Sequence, residues 1–222
     1  ADTTHELPCN LVLMSVGRKA NSQDLGLDAI GITADRGAVP VDDCQQTSVP
    51  NVWAVGDVTG KLMLSHVAYR HAEVAVNNIA GKADLMDYSA VPAVIYTSPE
   101  VATCGETLAS AQAKGLEARE VNLSMRYSGR YLAEVAGGDG ICKLVMSGER
   151  LIGVHMIGSY VSEIIWGAAA IIGTQMPLEQ IQKIIFPHPS VCEIIRAGIF
   201  SRPIGRVRGR RGGLSSDDAQ QR

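Results

Sequence analysis

Four apolar residues, Val52-Trp53-Ala54-Val55, run straight into Gly56-Asp57, and an amphipathic stretch from Leu64 to Ala80 follows. A short continuous apolar run bounded by a turn has the character of a strand buried on both faces, as in a parallel sheet. Apolar residues at Leu64, Val67, Ala68, Val74, Ala75 and Ile79 give helical spacing, and Gly81 supplies the stop. Strand, turn and helix in that order predict an α/β layer. Ligands of such layers lie outside the carboxyl ends of the strands, which puts Gly56, Asp57 and the helix start at Leu64-Ser65-His66 at a candidate site. Gly56 lets backbone approach a ligand closely, and the Asp57 carboxylate can accept hydrogen bonds from sugar or ribityl hydroxyls. Backbone N–H groups at the helix start, with the positive end of the dipole, suit an electron-rich acceptor. An Asp-containing turn beside a solvent-facing His66 is the plain alternative for the same residues.

A second run of this kind, Leu11-Val12-Leu13-Met14-Ser15-Val16, ends in Gly17-Arg18 and reads as another buried parallel strand. Composition changes over Tyr88 to Pro92, and a domain boundary is expected near residue 90. Beyond it, strands are expected at Ala93 to Tyr96, Glu117 to Leu123, Ile141 to Met146 and Leu151 to Ile157, the last two joined by the hairpin connection Ser147-Gly148-Glu149-Arg150. Helices are expected at Val161 to Gly173, Pro177 to Ile184 and Pro189 to Phe200. Strands succeeded by helices predict an α+β domain, an antiparallel sheet with helices on one side.

The last of these helices follows Phe186-Pro187-His188-Pro189-Ser190-Val191-Cys192-Glu193, a histidine between two prolines with a carboxylate five positions on. Proline suits the first position of a helix, where its missing N–H would have no partner, so Pro189 is expected to open the helix and His188 to precede it. Glu193 should then face back and receive a hydrogen bond from the imidazole, which fixes the tautomer and raises basicity. A plain cap or core histidine is the alternative. Cys192 is a possible nucleophile, though a small buried thiol on the inner helix face fits it better.

A formal charge of −3 gives no reason to expect a nucleic-acid partner, and 46% hydrophobic residues in 222 suffice for a real core. The longest apolar run, Ile164 to Gly173, is well short of the ~20 residues that span a bilayer and reads as a buried helix. Five scattered cysteines, Cys9, Cys44, Cys104, Cys142 and Cys192, fit free thiols in a reducing, cytoplasmic setting, and none makes a local metal or redox motif. The polar start Ala1-Asp2-Thr3-Thr4-His5-Glu6 shows no secretory signal, and an apolar strand so early suggests that the chain begins inside a larger protein. Residues 202–222, with Arg206, Arg208, Arg210 and Arg211 among glycines, are expected to be a disordered tail.

Taken together, these segments resemble one family. Leu13-Met14-Ser15-Val16-Gly17-Arg18-Lys19-Ala20-Asn21, Thr47 to Asp57 and Met63-Leu64-Ser65-His66 look like the flavin disulfide reductases, and Tyr96 to Ala102 and Gly153 to Gly158 extend the likeness. With His188-Pro189 and Glu193 it is nearest to the lipoamide branch, the dihydrolipoamide dehydrogenases, and runs in order and spacing from Leu11 to Phe200. The resemblance implies that residues 1–20 hold the last strand of an NAD-binding domain and 21–90 the end of an FAD-binding domain. By the same likeness 91–201 form a dimerisation domain, and 202–222 are the tail.

It also implies roles. Asp57, beside Gly56, would bind the FAD ribityl chain, backbone around Leu64, Ser65 and His66 would face the flavin, and Gly17 would lie near NAD. Ser65 stands where the family usually has Ala. His188 would be the acid/base that takes a proton from the dithiol, with Glu193 orienting it, and each subunit of a homodimer would give its histidine to the partner's flavin site. Lipoyl domains of 2-oxo acid dehydrogenase or glycine cleavage complexes would be the partners. The family's two Gly-x-Gly-x-x-Gly turns and its paired redox cysteines do not occur in these 222 residues, so the chain reads as a carboxyl-terminal part, inert alone. A glutathione reductase-like enzyme, or a dimerisation module only, are the alternatives; mercuric reductase is disfavoured because the tail holds no cysteine pair.

Overall fold

The computed structural model describes residues 3–201, and the chain parts into two compact units between Val91 and Pro92. The tail expected over 202–222 lies outside the described residues.

The first unit is built on turns and a single long helix. Short 3-10 helices span Leu27–Ile30 and Gly56–Thr59, and α1 spans Ser65–Ile79. The inward face of α1 carries Val67, His71, Val74 and Ala75 at helical spacing. Val67 and Val74 pack with Met86, and Leu64, Tyr88 and Val91 close over them. Arg70 donates two hydrogen bonds to Asp84, at 2.9 and 2.6 Å, and Asn77 a third at 2.7 Å, which ties the segment after α1 back along the helix. These donors, Arg70 foremost, hold the Asp84 carboxyl down at about 2.

Neither expected strand of this unit forms. Residues 11–16 have no regular structure, and Leu11, Leu13 and Val16 are almost fully exposed. A parallel strand exists through the hydrogen bonds of its neighbours, and no described residue pairs with this run. At Val52 to Val55 only an isolated bridge, Gln46 to Trp53, is present, flanked by Thr47 N–H to Val52 O and Ala54 N–H to Gln45 O.

The second unit is a five-stranded antiparallel sheet. Its strands are β1 (Ala93–Ile95), β2 (Val101–Gly105), β3 (Ala118–Ser124), β4 (Ile141–Ser147) and β5 (Arg150–Ile157), in the order β1-β2-β5-β4-β3. The β4–β5 hairpin closes with Ser147 opposite Arg150, as the turn residues predict, and a bulge at Val145/Met146 shifts its register. Helices α2 (Leu108–Ala113), α3 (Gly129–Glu134), α4 (Val161–Gly173), α5 (Leu178–Ile181) and α6 (Glu193–Phe200) complete the unit. Alternation along the strands buries Ala102, Cys104, Val121, Leu123, Cys142, Leu144, Val154 and Met156. The opposite face carries an in-register row of Thr103, His155, Lys143 and Asn122. Helices α4 and α6 pack on the sheet, α4 against β2 and β5, α6 against β3 and β4.

Four expectations change here. Strand β2 and the short helices α2 and α3 are not read from the sequence. α5 is a single turn, shorter than Pro177 to Ile184. α4 is buried only along Val161, Ile165, Ala168, Ile171 and Ile172, while Trp166 on its other face is 69% exposed. The last helix begins at Glu193 and not at Pro189, because the chain bends at Pro189 and turns at Val191 and Cys192, with the Ser190 N–H taken by the Glu193 side chain.

Close backbone approaches hold the layers together. A Cβ on Gly153 would stand 1.9 Å from the carbonyl oxygen of Glu106, and one on Gly198 would stand 2.4 Å from Leu144, so α6 sits directly on β4. Gly153→Ala should therefore destabilise this unit by about 1–3 kcal/mol. Gly129→Ala, with open space around it, should be near neutral. Urea unfolding midpoints of the two variants check this, and equal midpoints would refute the packing.

Candidate functional site

Two groups of residues carry chemistry, one in each unit. In the second, the turn before α6 is tied down from several sides. Ser128, which caps α3 by accepting the Tyr131 N–H, also donates to the Ser190 carbonyl at 2.9 Å. Ser190 Oγ donates to the Pro187 carbonyl at 2.6 Å, closing the loop around His188. The buried residues Ile194, Ile195 and Ile199 anchor α6 on the sheet, which sets Glu193 at its first position.

From there the Glu193 carboxylate reaches back. It accepts the Ser190 N–H at 2.9 Å and lies 2.9 and 3.1 Å from Nδ1 of His188 through its two oxygens. The Ser190 N–H and the imidazole hold the Glu193 carboxyl below the ordinary carboxylate range. An ionised carboxylate only accepts, so Nδ1 carries the proton and donates. The Nε2 lone pair is left outward on an imidazole whose side chain is 78% exposed, with no bond to a described residue. Such a group can take a proton from an incoming acid and hold it as an imidazolium stabilised by the adjacent charge. His188 and Glu193 are thus brought together as expected, though by a turn and not by a helix opening at Pro189.

Cys192 does not lie on the inner face of the helix. It is half-buried just before α6, with Sγ 3.0 Å from Ser190 Oγ. Burial pushes the thiols of Cys104 and Cys142 up to about 11 and 12, so neither is a nucleophile at neutral pH.

In the first unit, Gly56 and Asp57 open the 3-10 helix that packs against α1. Gly56 is buried at φ +75°, and a Cβ there would meet Ala68 of α1 at 3.2 Å, which calls for glycine. Its carbonyl accepts from Thr59 Oγ1 at 2.8 Å. Its N–H donates to Nδ1 of His71 at 3.1 Å. Asp57 is exposed, and its carboxylate has no hydrogen bond to a described residue. Leu64 caps α1 without a side-chain bond, and Ser65 and His66 are exposed beside it. Gly17, at φ +121°, stands in the irregular segment far in sequence from these residues, with open space around it. His71, not among the residues expected at the site, is fully buried and bonded at both ring nitrogens, with Tyr88 Oη 2.8 Å from Nε2. Its helical spacing with Val67 and Val74 on the inward face was the signal available. Two further buried groups, the Gln45 side-chain amide and Trp53 Nε1, have no hydrogen-bond partner. Among the described residues no cluster of His, Cys, Asp or Glu could hold a metal, and no helix is long and apolar enough to cross a membrane.

Comparison with known proteins agrees across both units. Residues 91–198 match the dimerisation domain of the pyridine nucleotide-disulphide oxidoreductases, and residues 1–72 match another domain of the same family. A dihydrolipoyl dehydrogenase of Chlamydia muridarum is 38% identical over 186 residues, covering 82% of this chain and 40% of that protein. One of Cupriavidus necator is 37% identical over 193 residues, covering 86% and 40%. The crystal structure of LpdA from Mycobacterium tuberculosis superposes with a TM-score of 0.78 at 26% identity, over 84% of this chain and 41% of that one. The chain thus spans about two fifths of the length of the curated relatives it matches.

Glu193→Gln removes the charge that keeps the proton on Nδ1. Nitrogen-15 histidine spectra should show His188 as the Nδ1–H tautomer in the unaltered chain and as a mixture in the variant. A variant spectrum that still shows only Nδ1–H would mean that Glu193 does not set the tautomer.

Proposed function

Since the chain belongs to the pyridine nucleotide-disulphide oxidoreductases, we propose that it is the carboxyl-terminal part of a flavin-dependent dihydrolipoamide dehydrogenase whose acid/base pair is His188 and Glu193. The hydrogen bond between Nδ1 and the Glu193 carboxylate, with Nε2 exposed, carries this reading. A dithiol attacks a disulfide only as the thiolate, so a base must take one S–H proton as sulfur becomes nucleophilic. Nε2 of His188 receives that proton. Glu193 stabilises the imidazolium while it holds the proton.

The residues of the first unit fit a flavin. Asp57 is an exposed, unengaged carboxylate on the 3-10 helix that packs against α1, and no side chain caps the N-terminus of α1, the two features that accept ribityl hydroxyls and face an electron-rich ring. FAD, when bound, supplies the two-electron acceptor, with NAD as the final one. Asp57 holds the ribityl chain, backbone at Leu64, Ser65 and His66 borders the ring, Gly56 lets the turn close against α1, and Gly17 lies by the nicotinamide nucleotide. These 222 residues alone are inert in this reading, since the disulfide and the nucleotide turns belong to the remainder of the enzyme.

The matched dimerisation domain supports a homodimer in which each subunit gives His188 to its partner's flavin site, and the exposed Trp166 face of α4 is apolar surface available to such a contact. Lipoyl domains of 2-oxo acid dehydrogenase or glycine cleavage complexes present the dithiol, and the enzyme works in the cytoplasm. His188→Gln in the full-length enzyme should lower dithiol oxidation by about 10²–10⁴-fold, the usual worth of a positioned acid/base, and leave flavin absorbance unchanged. Steady-state rates checked against flavin content test this, and undiminished turnover would remove His188 from the mechanism.

A further inference from the structure

Among the described residues one histidine is fully buried, His71, and it lies against Gly56. His71 has no exposed surface, and its two ring nitrogens are both engaged, Nδ1 with the Gly56 N–H at 3.1 Å and Nε2 with Tyr88 Oη at 2.8 Å. The ring of Tyr88 stands edge-on to it, with centroids 5.7 Å apart. A peptide N–H can only donate, so Nδ1 must be the acceptor and unprotonated. A neutral imidazole then carries its hydrogen on Nε2 and donates it to the tyrosine.

Gly56 is thereby held on both sides, its N–H by His71 and its carbonyl by Thr59. Asp57 is the next residue, so the backbone that carries it is held at the Gly56 N–H by an imidazole of α1 and at the Gly56 carbonyl by Thr59. Protonating His71 would set an N–H against the Gly56 N–H and replace an attraction with a repulsion inside a buried contact.

We propose that His71 is a positioning residue of the flavin-binding turn, holding Gly56-Asp57 only as the neutral Nε2–H imidazole, so that its protonation loosens the turn and releases flavin. This rests on the reading of Asp57 as the ribityl-binding residue. The surroundings oppose protonation: burial, and then the charge of Lys61, lower the affinity of His71 for a proton. Lys61 Nζ lies 5.3 Å from the centre of the ring of Tyr88, the tyrosine that receives the imidazole proton. From the 3-10 helix against α1 the ionisable group is Asp57, which bonds no described residue. On α1 itself the neighbouring Arg70 is turned to Asp84 and Glu73. No carboxylate is hydrogen-bonded to the ring to hold a second proton on it.

The sign follows from linkage. A histidine whose affinity for protons is lowered by folding contributes its full stabilisation above the ordinary value of about 6.5. That contribution fades as pH falls from there through the lowered value in the folded protein, where the turn is released.

Two measurements test the proposal separately. In the nitrogen-15-labelled chain, the Gly56 amide resonance should shift with pH together with the His71 ring nitrogens, and His71→Gln should abolish that shift, since a glutamine amide can accept and donate in the same places without titrating. A Gly56 amide that titrates unchanged in His71→Gln would overturn the contact as the cause. In the full-length holoenzyme, FAD release below pH 6.5 should accelerate by up to about tenfold per pH unit, the limit for one proton. His71→Gln should lose this acid limb while keeping flavin at neutral pH, and His71→Leu should release flavin faster at every pH. An acid limb that survives in His71→Gln would overturn the role of His71. A Gly56 amide that titrates as expected, with flavin release flat across pH, would overturn the assignment of Asp57 to flavin and leave the His71–Gly56 contact standing.

Discussion

The reach of the Glu193 carboxylate back across the turn is what the candidate chemistry of the second unit depends on. One side chain accepts the Ser190 N–H, a donor in the turn before the helix, and it accepts the His188 proton as well. Structure and function therefore share one carboxylate. The bond from the Ser190 N–H fixes where the oxygens lie, and the oxygens fix which imidazole nitrogen faces outward. The arrangement holds only because Glu193 is the first residue of α6, and α6 is fixed by Ile194, Ile195 and Ile199 with Gly198 pressed onto Leu144 of the sheet.

A comparable economy appears in the first unit. The turn that presents Asp57 is gripped by groups of α1 and of the turn itself, through His71 and Thr59, and it approaches α1 so closely that a Cβ on residue 56 would press on Ala68 at 3.2 Å. In both units an imidazole is fixed by what bonds its Nδ1. The two roles differ because His71 accepts there in full burial, while His188 donates there and keeps Nε2 in the open.

The parts of the fold that were legible in the sequence were those set by local pattern. The limits of α4, the β4–β5 hairpin and the start of α1 followed from periodicity and turn residues, and the His188–Glu193 hydrogen bond followed from spacing. The rest depended on partners distant in the chain. β2 is a short strand, Val101–Gly105, with glycine at its end, and it is held by pairing with β1 and with β5 some fifty residues later. Residues 11–16 carry a strand pattern but have no pairing neighbour among the described residues, and so remain unpaired. Pro189 suggested a helix start by its own preference, yet the side chain of Glu193 closed a turn in its place and delayed the helix by four residues. His71 is not legible as a site residue because a histidine on an apolar helix face has the pattern of core, and its two bonds, to Gly56 and Tyr88, come from residues 15 and 17 positions away.

In the proposed function, His188 of one subunit serves the flavin held by Asp57 of the other. Mixed dimers of the full-length enzyme test it most directly, with His188→Gln in one subunit and Asp57→Ala in the other. One site of such a dimer keeps both an intact flavin turn and an intact histidine, contributed by different subunits. The account predicts that the mixed dimer regains dithiol oxidation that neither variant homodimer shows; a mixture as inactive as the two homodimers would contradict it.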